Sequence, residues 1–506
     1  MSRPPAQTLL PAALLVTVAV FLYCNLFLLP GTPILQSDDQ VYFWMHAQRM
    51  LAGELPYLDF FQYTPPGTDF FFLALFKVFG PRIWVLNSAV VLLGVAQCWV
   101  AFRIARHLTE LSLALVSSFF YVVVIFSRPL NATHHWFSTL FVMCAVAILM
   151  PERSGKRVAA AGALLGLASF FTQTHGLAAL IAVATFLWWE QVRDARAGPS
   201  LLGPPLLVSV SYLASLLVLY SHFLVTVGPR LLWYDQVTYV HKYALQGWSI
   251  PNFGLPASLT IRNLPTVIEP LLVHLLIPLV LTFSLLTTQR NTLPVANRRK
   301  IVLLSLVGLF LFAEVALNPN WLRVYAVSMP GILLTLWALA KASQRKLEFT
   351  ERQLASVFLV LTLLAAVRLT WIRHRRPYVI ATLPAGTTAV PKPQFEEIDW
   401  LARHTTPGEF FFQAEWPGLY VPLALRNPLF LDAAGTNNQT RPEDVDLAIA
   451  QLDHKQVRFV LWSPDLDIPD SNPREHDHLQ PLREYLHERY ILEKTFSTSD
   501  QLWQRK

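Results

Sequence analysis

Two adjacent carboxylates, Asp38 and Asp39, stand just after the first long hydrophobic segment, in the run Ser37-Asp-Asp-Gln-Val-Tyr42 that leads on to Tyr63-Thr-Pro-Pro-Gly67. Acidic groups beside hydrocarbon are costly unless they are solvated or paired, so they mark candidates for chemistry. An ionised carboxylate at such a place can take the proton from a hydroxyl. Ser37 followed by Gln40 has the spacing of a capping box, which predicts a helix starting there, running to about Ala52 and ending at Gly53. In its first turn the helix dipole favours the charged carboxylates. Stabilising the helix start would by itself account for both residues, so a catalytic and a purely structural reading stand side by side on this spacing.

Other groups that can do chemistry crowd toward the same side. Asp38, Asp39, Glu54, Asp59, Asp69, Asp235, Glu269 and Glu314 all map to the outer half of the chain's hydrophobic body, in loops or at outer helix ends. His46, His134, His135, His175, His222, His241 and His274 share that bias, and His107 alone is inward. Glu269 and Glu314 lie deep enough to need a partner, and a cavity-lining role provides one. Gln173, Thr174 and His175, between two hydrophobic segments, can reach sugar hydroxyls or form an ordinary polar turn. A divalent cation is admitted as a cofactor through His134-His135 and the aspartates, although adjacent histidines rarely turn both rings toward one ion. No glycine-rich nucleotide-binding loop stands out.

The elements that must position these groups are set by composition. The chain has 506 residues, 54% of them hydrophobic and 14% charged. Its mean hydropathy of +0.40 belongs to an integral membrane protein. About eleven windows are apolar enough to cross a bilayer, near 9–29, 82–102, 111–127, 134–150, 157–172, 175–190, 203–225, 264–288, 299–317, 321–341 and 353–372. Basic residues crowd into alternate short loops, as at Arg103 and Arg106, at Arg153, Lys156 and Arg157, and at Arg298, Arg299 and Lys300. The positive-inside rule then predicts a cytoplasmic N-terminus and an external C-terminus. That placement explains the net charge of +7 without nucleic acid as a partner. Cys24, Cys98 and Cys144 all fall in hydrophobic windows, so no disulfide framework is implied.

Three parts are expected: a helical membrane body over 1–372 that contains a large outer loop at 30–81, a proline-containing linker at 373–393, and an external α/β domain at 394–506. In that domain helices are predicted at 394–404, 443–452 and 478–490, and strands at 409–414 and 457–462.

The segments Asp38-Asp39-Gln-Val-Tyr42, Leu51-Ala-Gly-Glu-Leu-Pro-Tyr57-Leu-Asp59, Thr64-Pro-Pro-Gly67 and Phe76-Lys-Val-Phe-Gly80 resemble the first outer loop of GT-C glycosyltransferases. The resemblance is to the bacterial branch related to protein mannosyltransferases and to the aminoarabinose transferases of lipid A. It implies a multi-span α-helical GT-C fold in the bacterial cytoplasmic membrane, facing the periplasm. It also implies a polyprenyl-phosphate-linked sugar as donor, among membrane lipids, with an unknown acceptor. Carried over residue by residue, Asp38 matches the loop carboxylate that acts as base and Asp39 its acidic companion. Arg323 and Tyr325, in Asn-Trp-Leu-Arg-Val-Tyr325, resemble an arginine-tyrosine pair at the outer start of a late span, where the guanidinium can hold the lipid phosphate. Relatives of the aminoarabinose type carry an acidic-basic pair immediately before Pro-Pro, where this chain has Tyr63-Thr64. Phosphate binding is therefore expected from Arg128, Arg262 or Arg323, and the substrate cavity from Asp59, Tyr63, His175, Glu269 and Glu314. The expected reaction is inverting glycosyl transfer. A lipid or solute transporter is the alternative from another class, and it requires polar groups through the whole depth of the bilayer.

Overall fold

The computed structural model describes residues 6–151, 153–193, 203–244, 272–288, 294–316, 321–346, 348–469 and 475–506. The chain divides into two compact units, one made of 1–23, 90–221 and 249–371, the other of 24–89, 222–248 and 372–506.

The first unit is helical. It takes in the bulk of α1 (Ala6–Leu26), α4 (Ile83–Ala105) and α9 (Pro204–Thr226), together with α5 (Leu111–Phe120), α6 (His134–Leu149), α7 (Gly155–Phe171) and α8 (Gln173–Arg193). Further helices follow at Ile277–Thr287, Val295–Val315, Trp321–Ala326, Met329–Lys346 and Glu351–Arg375. Among the described residues four helices are long and apolar enough to cross a membrane: Leu9–Leu26, Ile83–Ala105, Pro204–Thr226 and Glu351–Arg375. Each of the other expected windows also contains helix, in shorter or less apolar pieces.

Small residues let two of these helices approach closely. Gly162 and Gly166 form a small-xxx-small pair on α7. A Cβ on Gly162 would run into the carbonyl oxygen of Val208 on α9, and one on Gly166 would stand 2.7 Å from the carbonyl oxygen of Tyr212. The expected window 321–341 is broken after Ala326, because Pro330 cannot donate a backbone hydrogen bond and sits in the first turn of the next helix. Arg323 and Tyr325 thus lie on a separate short helix.

The second unit is α/β. The outer loop supplies α2 (Gln40–Leu51) and α3 (Gly67–Phe79), which pack on each other. A short ladder pairs β1 (Phe27–Leu28) with β2 (Thr32–Pro33). The stretch 373–393, expected as a linker, is ordered instead. Its first residues complete the helix Glu351–Arg375, and β3 (Tyr378–Leu383) and β4 (Gly386–Pro391) then form an antiparallel hairpin. The prolines that suggest a linker sit where a hairpin tolerates them: Pro377 before β3, Pro384 in the turn and Pro391 at the end of β4. Ile34 bridges to Ala389, so the hairpin holds the start of the outer loop. Beyond it, β5 (Phe411–Gln413), β6 (Phe459–Trp462), β7 (Tyr490–Thr495) and β8 (Gln501–Arg505) make one mixed sheet in the order β5-β6-β8-β7. The helices Lys392–His404, Pro442–His454 and Gln480–Arg489 accompany it at the predicted places, and Phe412, Val460, Leu452, Leu482 and Trp462 lie in its core. β7 and β8 are additional to the predicted strands.

Candidate functional site

In the second unit, Asp38 and Asp39 precede α2. The helix begins at Gln40, three residues after Ser37, so the expected capping box does not start it: Asp39 is the N-cap and makes no side-chain capping bond, while Asp38 Oδ1 accepts the Gln40 N–H at 3.2 Å and the Asp38 carbonyl accepts the Val41 N–H at 2.9 Å. Asp38 is half-buried and Asp39 exposed. Arg373 lies within electrostatic reach of Asp38. Its guanidinium is fixed by the Asn25 carbonyl at 3.0 Å and by Gln36 Oε1 at 3.5 Å.

What holds α2 is a chain of alternating charges. His46 Nδ1 stands 3.0 Å from Asp69 Oδ1, and its Nε2 stands 2.7 Å from Asp432 Oδ2. Arg49 continues the chain, with Nη1 3.9 Å from Asp432 and Nε donating to Glu54 at 2.7 Å. Gln62 donates to the second oxygen of Asp69. Burial alone would lower the His46 pKa. The two carboxylates reverse that and push it up to about 10, so the ring is an imidazolium at neutral pH. His46 and Asp69 are the loop's own residues, whereas Asp432 comes from the C-terminal region, far away in sequence. Sequence reasoning found neither this chain nor Arg373. The available signal was the placement of His46 and Arg49 on a predicted helix close behind the carboxylates.

The remaining residues of this unit divide. Asp59 is exposed and closes its own turn, with Oδ2 accepting the Leu55 N–H at 2.7 Å. Its expected place in a substrate cavity has no support in this geometry, because a turn carboxylate bonded to nearby backbone needs no ligand. Tyr63 is half-buried against aromatic rings, 5.7 Å from Tyr239 and 6.1 Å from Phe61. Tyr42 belongs to the same surroundings. Burial first, then the charges of Tyr63, Asp432, Asp39 and Glu415, push its phenol far up, so it stays a hydroxyl.

In the first unit the structure gathers His175, Glu314 and Arg323 with two residues weighed only as metal ligands, His134 and His135. His175 Nε2 is 3.2 Å from Glu314 Oε2, and its Nδ1 is 2.8 Å from Ser138 Oγ. His134 Nδ1 is 2.8 Å from Thr172 Oγ1, and its ring lies 3.9 Å from that of His135. Arg323 lies within electrostatic reach of His134, His135 and Glu314. Tyr325 is buried on the same short helix, while Arg128 is exposed just after the turn Tyr121–Phe126 that this helix contacts. Among the described residues no three His, Cys, Asp or Glu side chains are grouped so as to hold a metal ion. Arg262 and Glu269 lie outside the described residues.

Solved structures align with this arrangement over nearly its whole length. ArnT from Cupriavidus metallidurans in the apo state matches with a TM-score of 0.61 at 15% identity, covering 97% of either chain. The same protein bound to undecaprenyl phosphate matches at 0.60 and 14% identity, again over 97% of both chains. The chain has the GT-C fold. A third GT-C structure, the oligosaccharyltransferase of Archaeoglobus fulgidus in complex with Zn and sulfate, matches at 0.53 and 13% identity over 90% of this chain and 68% of that one. No family profile matches the chain, and no curated protein does. The chain carries an acid-bearing helix start after α1, and Arg323 and Tyr325, expected at the start of a late span, lie on the separate short helix Trp321–Ala326.

Proposed function

We propose that the protein is an inverting glycosyltransferase of the bacterial cytoplasmic membrane, moving a sugar from a polyprenyl-phosphate carrier to an acceptor hydroxyl at the outer face. The observation that carries this reading is the GT-C fold shared with ArnT over almost the entire chain, with Asp38 just before α2 and within electrostatic reach of Arg373. About eleven spans, a cytoplasmic N-terminus and an external C-terminal region complete it. The charge pattern of the loops supports this orientation.

In the proposed step Asp38 takes the proton of the acceptor hydroxyl as its oxygen bonds to the anomeric carbon. The bond from that carbon to the phosphate oxygen breaks, and the phosphate leaves with the electron pair. Asp39 orients the acceptor. Arg323, with Tyr325 and Arg128, answers the charge that develops on the phosphate, and His175 with Glu314 lines the polar surroundings of Arg323. Transport across the bilayer gains no support from the neighbours.

Removing a general base costs about 10²–10⁴ in rate. Asp38→Asn, which keeps shape and loses basicity, is therefore expected to reduce transfer by that factor from a purified lipid-linked sugar in nanodiscs. Full activity in this variant, followed by mass spectrometry of the product, would remove Asp38 from the mechanism.

A further inference from the structure

Within the first unit, the end of α8, the start of α9 and the turn into α7 border a cavity of about 450 Å³, whose wall includes Arg153, Gly155, Glu190, Gln191, Pro204 and Leu207. That volume is in the range of small-ligand sites. Its charged groups are held in place. The Arg153 side chain is 13% exposed, pairs with Glu190 and lies over the Phe186 ring at 4.7 Å. The same Glu190 oxygen meets Arg299 Nε at 3.2 Å. Two guanidinium groups share one carboxylate, so one positive charge of these three is left over.

Two polar atoms here lack an answer. Among the described residues neither Arg153 Nε nor Gln191 Oε1 has a hydrogen-bond partner, although both atoms are buried. One is a donor on a cation, the other a neutral acceptor. Burying either without a partner is costly, and a ligand that supplies an anionic oxygen and a hydroxyl satisfies both. Both α7 and α9 start at this wall, and α7 presents N–H groups that no carbonyl within the helix accepts. Such a helix start favours phosphate.

The surroundings are those of a membrane interface. Exposed Trp188 and Trp189, with the Arg193 guanidinium 5.0 Å over the Trp189 ring, continue α8 from the lining residue Leu187, and tryptophans of this kind sit at headgroup level. From the lining residue Leu207 an apolar face leads away along α9, where Leu206, Val210, Leu213 and Leu217 are all exposed at helical spacing. On the loop-charge reading this end of the bundle faces the cytoplasm, where basic pockets between membrane helices take anionic lipid headgroups.

We infer that this cavity binds an anionic phospholipid with a phosphoglycerol headgroup. The phosphate sits on Arg153 and the start of α7, a glycerol hydroxyl donates to Gln191, and an acyl chain follows the exposed face of α9. None of these residues has a role in the proposed transfer.

Native mass spectrometry of the full-length protein in detergent tests this with phosphatidylglycerol and with phosphatidylcholine of the same acyl chains. The wild type is expected to retain phosphatidylglycerol in preference. Arg153→Gln leaves Glu190 paired with Arg299 and should weaken that binding by roughly 10- to 100-fold, as loss of hydrogen bonds to a charged group does. Arg103→Gln, a change at an exposed basic residue of α4, should leave it unaltered. Equal retention of the two lipids by the wild type, unchanged binding by Arg153→Gln, or an equal loss in Arg103→Gln would each overturn the site. Glycerol 3-phosphate in excess should not displace the lipid, and displacement would give the cavity to a soluble phosphate instead. A phosphatidylglycerol with a photoreactive headgroup tests the wild type alone, whatever the variants do: labelled peptides should cover 153–158 or 203–207, and labelling confined to other segments would overturn the site.

Discussion

His46 is caught between two carboxylates with both ring nitrogens engaged, a geometry in which the doubly protonated ring donates to each. Its folded pKa, about 10, is above the ordinary histidine value of 6.5. A raised pKa contributes stability that is complete below about pH 6.5 and is lost as pH rises through about 10. The melting temperature of the purified protein should therefore hold on the acid side of neutrality and fall progressively toward pH 10, as a pH series of thermal denaturation would record. Replacing His46 with Gln leaves Asp69 and Asp432 facing each other in a buried place, and breaking a buried pair costs about 3–5 kcal/mol. The His46→Gln protein should lose both that stability and the alkaline dependence. A variant that keeps the wild-type pH profile would assign the profile to another group. The acid-bearing start of α2 was legible in the sequence, because carboxylates and prolines lie within one stretch of chain, although the Ser37–Gln40 capping pattern set the start three residues too early. Its support was not, since the partner of His46 is Asp432, 386 positions away, and no local pattern links them.

Among the elements, α7 and α9 meet through glycine. At Gly162 the obstacle to a side chain is the backbone carbonyl of Val208, which cannot swing aside as a flexible side chain would. Within lipid, helix association depends on such close packing. Gly162→Val should destabilise the protein by about 1–3 kcal/mol, measured by unfolding in detergent micelles. The same change at Gly155, where the nearest atom is the end of a leucine side chain at 3.8 Å, should be nearly silent. Helical windows were legible here because hydrophobic length announces them. The β3-β4 hairpin was obscured because its prolines, read alone, signal a linker. The π-helix at 234–244 was invisible for another reason: one extra residue per hydrogen-bonded ring leaves no distinctive mark in composition.

At the scale of the molecule, the C-terminal region is built into the unit that carries Asp38. Residues 372–506 share that unit with 24–89 and 222–248. Leu35 donates to the Ala389 carbonyl at 3.0 Å, Phe61 to the Phe430 carbonyl at 2.8 Å, and Arg49 to the Leu429 carbonyl at 2.9 Å. A chain ending at Pro377 loses all of these along with Asp432, and should yield little folded protein by size-exclusion chromatography of the solubilised membrane fraction. Co-expressing 378–506 as a separate polypeptide should recover part of it. Normal accumulation of the truncated chain would mean that the outer loop folds without this support.

The charge chain that runs from Asp69 through His46, Asp432 and Arg49 to Glu54 also sets the terms on which parts of this protein can be exchanged. Residues 37–80 carry four of those five members, and the fifth belongs to the segment around Asp432. A chimera that imports the outer loop of another protein of the same fold alone would set a foreign helix against a carboxylate that pairs with His46. One that imports 424–432 with it would bring both halves of the lock, so these distant stretches form a single unit of inheritance.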